Sequence, residues 1–159
     1  MKPEPVNIPK TAHAVLTESY LVYVIVAIPA LIVSAFYPTA TGLIGLMPLG
    51  VLLLLLAPIL ILWAQNASEH FRDKKNINDL TPSDFMHGPY KFIRFPTHLG
   101  LFLLMVGLSI VIGSFVVFCG ALFAQIISHL VFLPNEDKLL VEKYGDPYRG
   151  YKKIVRLSI

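Results

Sequence analysis

The sequence is poor in charged residues and almost without cysteine. Only 14% of its 159 residues are charged, whereas about 25% is usual in soluble domains. The single cysteine, Cys119, lies inside an apolar run, so an intramolecular disulfide framework is excluded. The net charge is a modest +3 and the basic residues form no dense face, which argues against a nucleic-acid partner. With 55% hydrophobic residues, the composition indicates a single integral membrane domain over residues 1–159.

Several common functional signatures are also missing. Residues 1–18 are polar and contain prolines, so no cleavable signal peptide is expected. His70, His87 and His98 do not have the spacing of metal ligands, and no metal site is predicted. The chain has neither a glycine-rich phosphate loop nor a nucleophile elbow. These absences exclude the commonest soluble nucleotide-binding and hydrolase patterns.

What the sequence does contain is three long apolar runs. Two of them, at residues 19–37 and 41–64, have about the 20 residues that a helix needs to cross a bilayer. The third, at 99–133, is too long for one crossing, because a helix of that length would extend about 52 Å. Gly113 and Ser114 are the small pair near its middle and mark the natural break. We therefore predict spans at 19–37, 41–64, 98–112 and 115–133.

The distribution of basic residues supports four spans. All 13 Lys and Arg lie before the first span, between residues 70 and 96, or after Leu133. Four spans put these three segments on one face of the membrane, as the positive-inside rule requires. The sequence thus predicts an all-α integral membrane protein with four transmembrane helices, a C-terminal helical hairpin and both termini in the cytoplasm. Residues 66–97 would form a cytoplasmic loop, and residues 135–159 a cytoplasmic amphipathic tail helix.

Polar side chains concentrate at the predicted cytoplasmic ends of the last two spans. Arg94 and His98 precede the third span, and further polar residues end or follow the fourth: Gln125, Ser128, His129, Asn135, Glu136 and Asp137. A hairpin brings its two ends together, so we expect these side chains to converge on one small space. Such a space at the rim of an apolar bundle suits a polar cofactor beside a lipid-soluble substrate.

Structural roles explain some of these residues equally well. Arg94 could extend to phosphate head groups at the membrane surface. Glu136 and Asp137 suit the first turn of the tail helix, where negative charge is favoured by the helix dipole. His129 could be an interfacial histidine with a backbone partner. The residue pattern alone therefore leaves a four-span protein with a candidate site at its cytoplasmic face.

Four stretches in the last 70 residues follow one another in a fixed order. They are GPYKFIRFPTHLG at 88–100, the hairpin at 99–133, EDKLL at 136–140 and KYGDPYRGYKKIV at 143–155. In this order and spacing the chain resembles the isoprenylcysteine carboxyl methyltransferase and phospholipid N-methyltransferase superfamily. Phe95 stands where that superfamily usually has histidine, His98 where it has tyrosine, and Asp137 where it has a second glutamate.

The resemblance implies a membrane methyltransferase with S-adenosylmethionine as cofactor and Arg94 and Glu136 as catalytic residues. Two glycines of the motif, Gly88 and Gly100, would let the backbone approach the cofactor closely. The acceptor would be lipophilic, a prenylcysteine-type carboxylate or an amino-phospholipid that enters from the bilayer. The implied cofactor-binding residues are Gly88, Tyr90, Ile93, Arg94, His98, Gly100, His129, Glu136, Asp137 and Tyr148.

Two other classes of protein stay open at this stage. A non-catalytic membrane scaffold is compatible with Phe95, because a phenyl ring can neither donate a hydrogen bond nor move a proton. A sterol-reductase-like oxidoreductase would use a nicotinamide cofactor and would need a larger cytoplasmic pocket than 159 residues readily supply. Binding of S-adenosylmethionine separates the three classes, whereas the sequence leaves the oligomeric state open.

Overall fold

The computed structural model describes residues 12–37, 45–72 and 80–157, and within these ranges the regular elements are helical. Residues 38–44, around the connection between the first two predicted spans, and residues 73–79 of the predicted loop lie outside the described residues. The short turns are two 3-10 helices, Pro82–Phe85 and Gly88–Lys91, and a π-turn, Ser128–Phe132. The α-helices are α1 (Ala12–Phe36), α2 (Met47–Arg72), α3 (Pro96–Ile112), α4 (Phe115–Ile127), α5 (Leu133–Tyr144) and α6 (Asp146–Ile154).

The apolar helices give the molecule the character of a membrane protein. In the described part of the chain, two helical stretches are long and apolar enough to cross a bilayer: Met47–Glu69 and Phe115–Tyr144. Shorter apolar helices occupy Tyr20–Phe36 and Pro96–Ile112. Many large apolar side chains of α1 and α2 are exposed, which is unfavourable in water and normal against lipid tails. The all-α class agrees with the prediction, whereas the four-span topology and the cytoplasmic tail stay predictions.

Two helices extend beyond their predicted ends. α2 continues to Arg72, into the segment predicted as loop. The helix that begins at Phe115 does not end near Leu133 but runs through the π-turn to Tyr144. Proline usually disrupts a helix interior, yet Pro134 directly follows the π-turn, where the regular i−4 hydrogen-bond pattern is already interrupted. The helix ends instead at Gly145, whose φ of +65° leaves the helical region.

Small residues allow α2 and α3 to pack closely. Ala57 and Ala64 on α2 are fully buried. A Cβ atom added to Gly107 of α3 would lie 2.9 Å from the carbonyl oxygen of Gly50, so the two backbones are almost in contact. Close backbone approach through small residues is a common way for membrane helices to associate. This packing fixes the direction of α3 and, with it, the residues at the start of the helix.

A tight turn reverses the chain between α3 and α4. Gly113 adopts a left-handed conformation with φ of +70° and ends α3. The N–H of Ser114 donates to the carbonyl of Ser109 at 2.9 Å, and the Ser114 hydroxyl accepts from the N–H of Val117 at 3.3 Å. The break thus falls at the Gly-Ser pair that the sequence indicates. Helix α4 runs back along α3, and the π-turn at its end lies beside His98 at the start of α3.

The C-terminal tail folds back onto the segment that precedes α3. Phe85 contacts Tyr144 and Tyr148 edge to face, with ring centroids 5.2 and 5.6 Å apart. The hydroxyl of Tyr151 donates to the backbone carbonyl of Tyr90 at 2.8 Å. These rings form a buried cluster with Leu80, Val155 and neighbouring apolar side chains. The buried rings of the tail are therefore covered by this chain's own residues, and α6 lies beside the segment that precedes α3.

Candidate functional site

His98, in the first turn of α3, forms hydrogen bonds at both ring nitrogens. Nδ1 lies 2.7 Å from Ser128 Oγ, and Nε2 lies 2.9 Å from Glu136 Oε2. An ionised carboxylate can only accept, so Nε2–H donates to Glu136, while Nδ1 and the Ser128 hydroxyl share the second hydrogen bond. The exposed fractions of His98, Ser128 and Glu136 are only 2%, 0% and 6%. This buried network joins α3, the π-turn and α5.

A second polar network is centred on Asp137. Arg94 Nη1 donates to Asp137 Oδ1 at 3.2 Å, and the Tyr148 hydroxyl donates to the same oxygen at 3.1 Å. Lys152 Nζ donates to Oδ2. The backbone N–H of Arg94 donates to the carbonyl of Leu157 at 3.0 Å. Asp137 therefore ties together the segment before α3, the start of α5 and helix α6.

A cavity of about 190 Å³ lies at this junction, lined by Arg94, Phe95, His129, Leu133, Pro134 and Asp137. Three of the lining residues are ionisable and three are apolar, which suits a ligand with a charged group and an apolar part. The volume is below the roughly 300–1,000 Å³ of sites that enclose a drug-sized ligand. The cavity can therefore hold the polar end of a larger molecule.

Arg94 keeps one hydrogen-bond donor unused beside the cavity. Its Nε is buried and has no hydrogen-bond partner within residues 12–37, 45–72 and 80–157. Leaving a buried donor unsatisfied costs about 1–3 kcal/mol. The guanidinium also lies over the Phe95 ring, 5.5 Å from its centroid. Because arginine presents its donors as a planar fork that matches carboxylates and phosphates, the arrangement suits an anionic ligand group.

The tyrosines beside Asp137 remain neutral donors over a wide pH range. Burial raises the pKa of Tyr148 far above its ordinary value of 10, and the negative charge of Asp137 raises it further. Burial likewise raises the pKa of Tyr151, with a smaller contribution from Tyr90. The Tyr148 hydroxyl therefore keeps its proton and continues to donate to Asp137 at physiological pH.

Three of the ten residues implied by the resemblance line the cavity: Arg94, His129 and Asp137. Tyr148 contacts the cavity only through Asp137, while His98 and Glu136 pair with each other in the interior. Of the two adjacent acids, Asp137 is therefore the one that the structure brings to the cavity wall. Glu136, which the resemblance implies to be catalytic, instead holds His98.

The two glycines of the motif make close contacts with α2 and neither lines the cavity. Gly88 has a φ of +55°, and an added Cβ would lie 2.8 Å from Ala67 Cβ and 3.0 Å from Trp63 Nε1. At Gly100 an added Cβ would lie 2.5 Å from Ile61 Cγ1. Each glycine permits a close approach, as the motif indicates, but the approaching group is a neighbouring helix.

Tyr90 and Ile93 support the cavity from a distance. Tyr90 offers its backbone carbonyl to the hydroxyl of Tyr151, which anchors α6. Ile93 is half-buried, and its backbone N–H donates to the carbonyl of Pro89 at 3.1 Å. Both residues therefore shape the segment that carries Arg94.

Leu133, Pro134 and Lys152 belong to the site but were not identified from the sequence. Lys152 contacts Asp137 across 15 residues, and no local pattern predicts that contact. Pro134 reads as the end of a helix, whereas it forms part of the cavity wall. In the described residues, no group of three or more His, Cys, Asp or Glu is arranged to hold a metal ion.

Comparison with known proteins identifies one family. A family model described as phospholipid methyltransferase matches residues 45–147. This range covers more than half of the chain and includes α2 to α5 and every residue that lines the cavity. No significant match was found among curated proteins or among solved structures. With its apolar helices and the polar cavity at their junction, the chain belongs to the phospholipid methyltransferase family.

Proposed function

We propose that this protein is an integral membrane methyltransferase that uses S-adenosylmethionine and methylates a lipophilic acceptor. Family membership supports a membrane methyltransferase in general. The observation that carries the finer proposal is the cavity, where the buried, partly unpaired guanidinium of Arg94 faces apolar walls.

The cavity residues suit the amino-acid end of the cofactor. The guanidinium of Arg94 matches a carboxylate, and the carboxylate of Asp137 matches an ammonium group. The ring of Phe95 adds an apolar wall beside these charges, with the Arg94 guanidinium lying over its face. When bound, S-adenosylmethionine supplies a methyl group carried on positively charged sulfur. The fit supports this cofactor, although the cavity encloses only part of a molecule of that size.

The protein's own residues would act by positioning and by electrostatics. Holding two reactants in line can supply about 7–11 kcal/mol of the barrier reduction. Arg94 and Asp137 are already fixed by Tyr148, Lys152 and the Leu157 carbonyl, so their charges are organised before a ligand arrives. His129 lines the cavity and would be the general base for the proton that methylation of an ammonium acceptor releases.

The acceptor would combine a polar head with an apolar tail. Leu130 and Val131 follow His129 along the π-turn and are exposed, so apolar surface adjoins the cavity wall. A lipid tail could lie on that surface while its head group reaches the cavity. The description of the matched family favours an amino-phospholipid. A prenylcysteine-type carboxylate has the same head-and-tail form and needs no proton removal.

Binding of the cofactor to detergent-purified protein tests this proposal. Isothermal titration should show S-adenosylmethionine binding in the micromolar range, about −8 kcal/mol. Arg94→Met should weaken binding about 10- to 100-fold, as expected for loss of a charge-assisted hydrogen bond of about 1.5–3 kcal/mol. Lys91→Met is the matched control, because Lys91 is an exposed cation three residues away that does not line the cavity. A folded wild-type protein that binds no S-adenosylmethionine would refute the proposal and favour a scaffold.

A further inference from the structure

We propose that His98 is a positioning residue that holds the π-turn in register and thereby places His129 and Asp137 in the cavity wall. His98 forms hydrogen bonds with Ser128 and Glu136. The residues that follow these two in the chain, His129 and Asp137, line the cavity. Neighbouring residues on a helix are rotated by about 100° about its axis. When one side chain is held against the interior, the side chain of the next residue is therefore held on a different face. The identity of the ligand in the cavity rests on the proposed function, whereas the positioning role of His98 does not.

Helical geometry explains why the π-turn is needed. Ser128 and Glu136 are eight residues apart, and in a regular α-helix eight residues rotate about 80° beyond two full turns. One imidazole would then face only one of them. A π-turn takes up about one additional residue, which brings both positions back to the same face. The turn at Ser128–Phe132 lies in this interval, where the N–H of Leu133 donates to the Ser128 carbonyl five residues back.

The imidazole is well suited to act as a template for this register. Its two nitrogens lie on different sides of a rigid ring, so the ring can hold two partners at a fixed separation. His98 is itself held by α3, which packs tightly against α2 at Gly100, and by edge-to-face contact with Phe95 at 6.0 Å. The fixed part is therefore the start of α3, and the π-turn and α5 adapt to it. A phenol, as in the tyrosine that the motif usually carries here, would present its donor and its acceptor at one oxygen rather than on two sides of a ring.

The Arg94–Asp137 contact provides a readout that is independent of methyl transfer. Tyr148 and Lys152 also hold Asp137, so if His98 contributes to placing it, the coupling of the two charges should weaken, but not vanish, when His98 no longer holds Glu136. We would measure melting temperatures of detergent-purified wild type, Arg94→Met, Asp137→Asn and the double variant. In the wild-type background, the melting temperature of the double variant should fall by less than the sum of the decreases in the two single variants.

The same four proteins made with His98→Phe and with His98→Gln test the proposal. In His98→Phe the non-additivity should fall by about half or more, because the register is no longer held. His98→Gln retains an amide donor toward Glu136, so it should keep most of the non-additivity. This milder substitution also provides a folded sample. Ser109→Ala is the matched control, since Ser109 is a buried polar residue of α3 that bonds only locally, to the Val106 carbonyl at 2.7 Å.

The cofactor gives a second, separate measurement on the same variants. His98→Phe should raise the Kd for S-adenosylmethionine about tenfold, and His98→Gln should restore it to within about threefold of wild type. Failure of wild type to bind would refute the proposed function while leaving the coupling measurement valid. Undiminished Arg94–Asp137 coupling in both His98→Phe and His98→Gln would overturn the positioning role. Equal loss of coupling in the Ser109→Ala background would overturn it as well, because the effect would then reflect general destabilisation.

Discussion

Glu136 and Asp137 are adjacent in the chain, yet their surroundings differ completely. Glu136 is buried and accepts from His98, whereas Asp137 accepts from Arg94, Tyr148 and Lys152 at the cavity wall. Successive residues of a helix point about 100° apart, so one acid faces the interior and the other faces the site. A carboxylate in the interior contributes to holding the fold, and a carboxylate in the wall contributes to binding.

Substitution of the two acids should therefore give different phenotypes. Asp137→Asn keeps the size of the side chain but removes the charge that orients Arg94, so the affinity for S-adenosylmethionine should fall about tenfold. Glu136→Gln should chiefly lower the melting temperature, because His98 keeps only a neutral acceptor in a buried position. Titration calorimetry and thermal unfolding of both variants check this. A greater loss of affinity in Glu136→Gln than in Asp137→Asn would assign the binding role to Glu136 instead.

The tyrosines of the tail should make stability sensitive to alkaline pH. The pKa of Tyr148 in the folded protein is raised above its unfolded value of about 10. Below pH 10 the phenol is neutral in both states and its burial stabilises the fold fully. Above about pH 10 the unfolded chain loses the proton first, so the free energy of unfolding falls as the pH rises.

The melting temperature of wild type should accordingly decrease between about pH 9.5 and 11, and the decrease should be smaller in Tyr148→Phe. An identical pH dependence in Tyr148→Phe and wild type would show that Tyr148 ionisation does not limit stability.

At the scale of the helices, the contact between α2 and α3 determines where the site is built. Gly107→Ala would place a Cβ 2.9 Å from the Gly50 carbonyl oxygen, and a backbone atom cannot move aside easily. We expect a loss of about 1–3 kcal/mol in the free energy of unfolding, as for other overpacked contacts. Gly45→Ala is a suitable control, because no atom of the described residues, its chain neighbours aside, lies within 4 Å of a Cβ at that position. Equal stability of the two variants in denaturant unfolding would argue against tight α2–α3 packing.

Some of these elements follow from local chemistry and could be predicted, whereas others depend on distant contacts. The turn at Gly113 and Ser114 was predictable, because a left-handed glycine and a capping serine are local signals. The convergence of Arg94 with the start of α5 followed from the hairpin alone. The continuity of the helix through Pro134 did not, because a π-turn has no comparable local signature.

The glycines and Lys152 show the same limit on prediction. The sequence indicates that Gly88 and Gly100 allow a close approach, but it cannot say which group approaches, and the structure shows that α2 does. Lys152 reaches Asp137 only because the aromatic cluster folds α6 back over the site. Tertiary packing of this kind is set by the whole chain rather than by a window of it.

For the whole molecule, the prediction that follows from the basic residues is a four-span topology with both termini in the cytoplasm. Single cysteines can test it in a Cys119→Ala background, with Thr39→Cys for the first connection and Lys75→Cys for the second. Both positions lie outside the described residues. An impermeant thiol reagent should label them from opposite faces of sealed vesicles. Labelling of both from the same face would contradict four spans.

Methyl transfer to a lipid acceptor is the central claim, and one measurement tests it most directly. Purified protein in lipid nanodiscs would receive S-adenosylmethionine with a labelled methyl group and matched acceptors. These acceptors would be an amino-phospholipid and a prenylcysteine, each compared with its water-soluble head group alone. The account predicts labelled product from a tailed acceptor and little from its head group, with turnover abolished in Arg94→Met and retained in Lys91→Met. Equal turnover of tailed and soluble forms would contradict entry from the bilayer, and cofactor binding without transfer to any acceptor would contradict the methyltransferase itself.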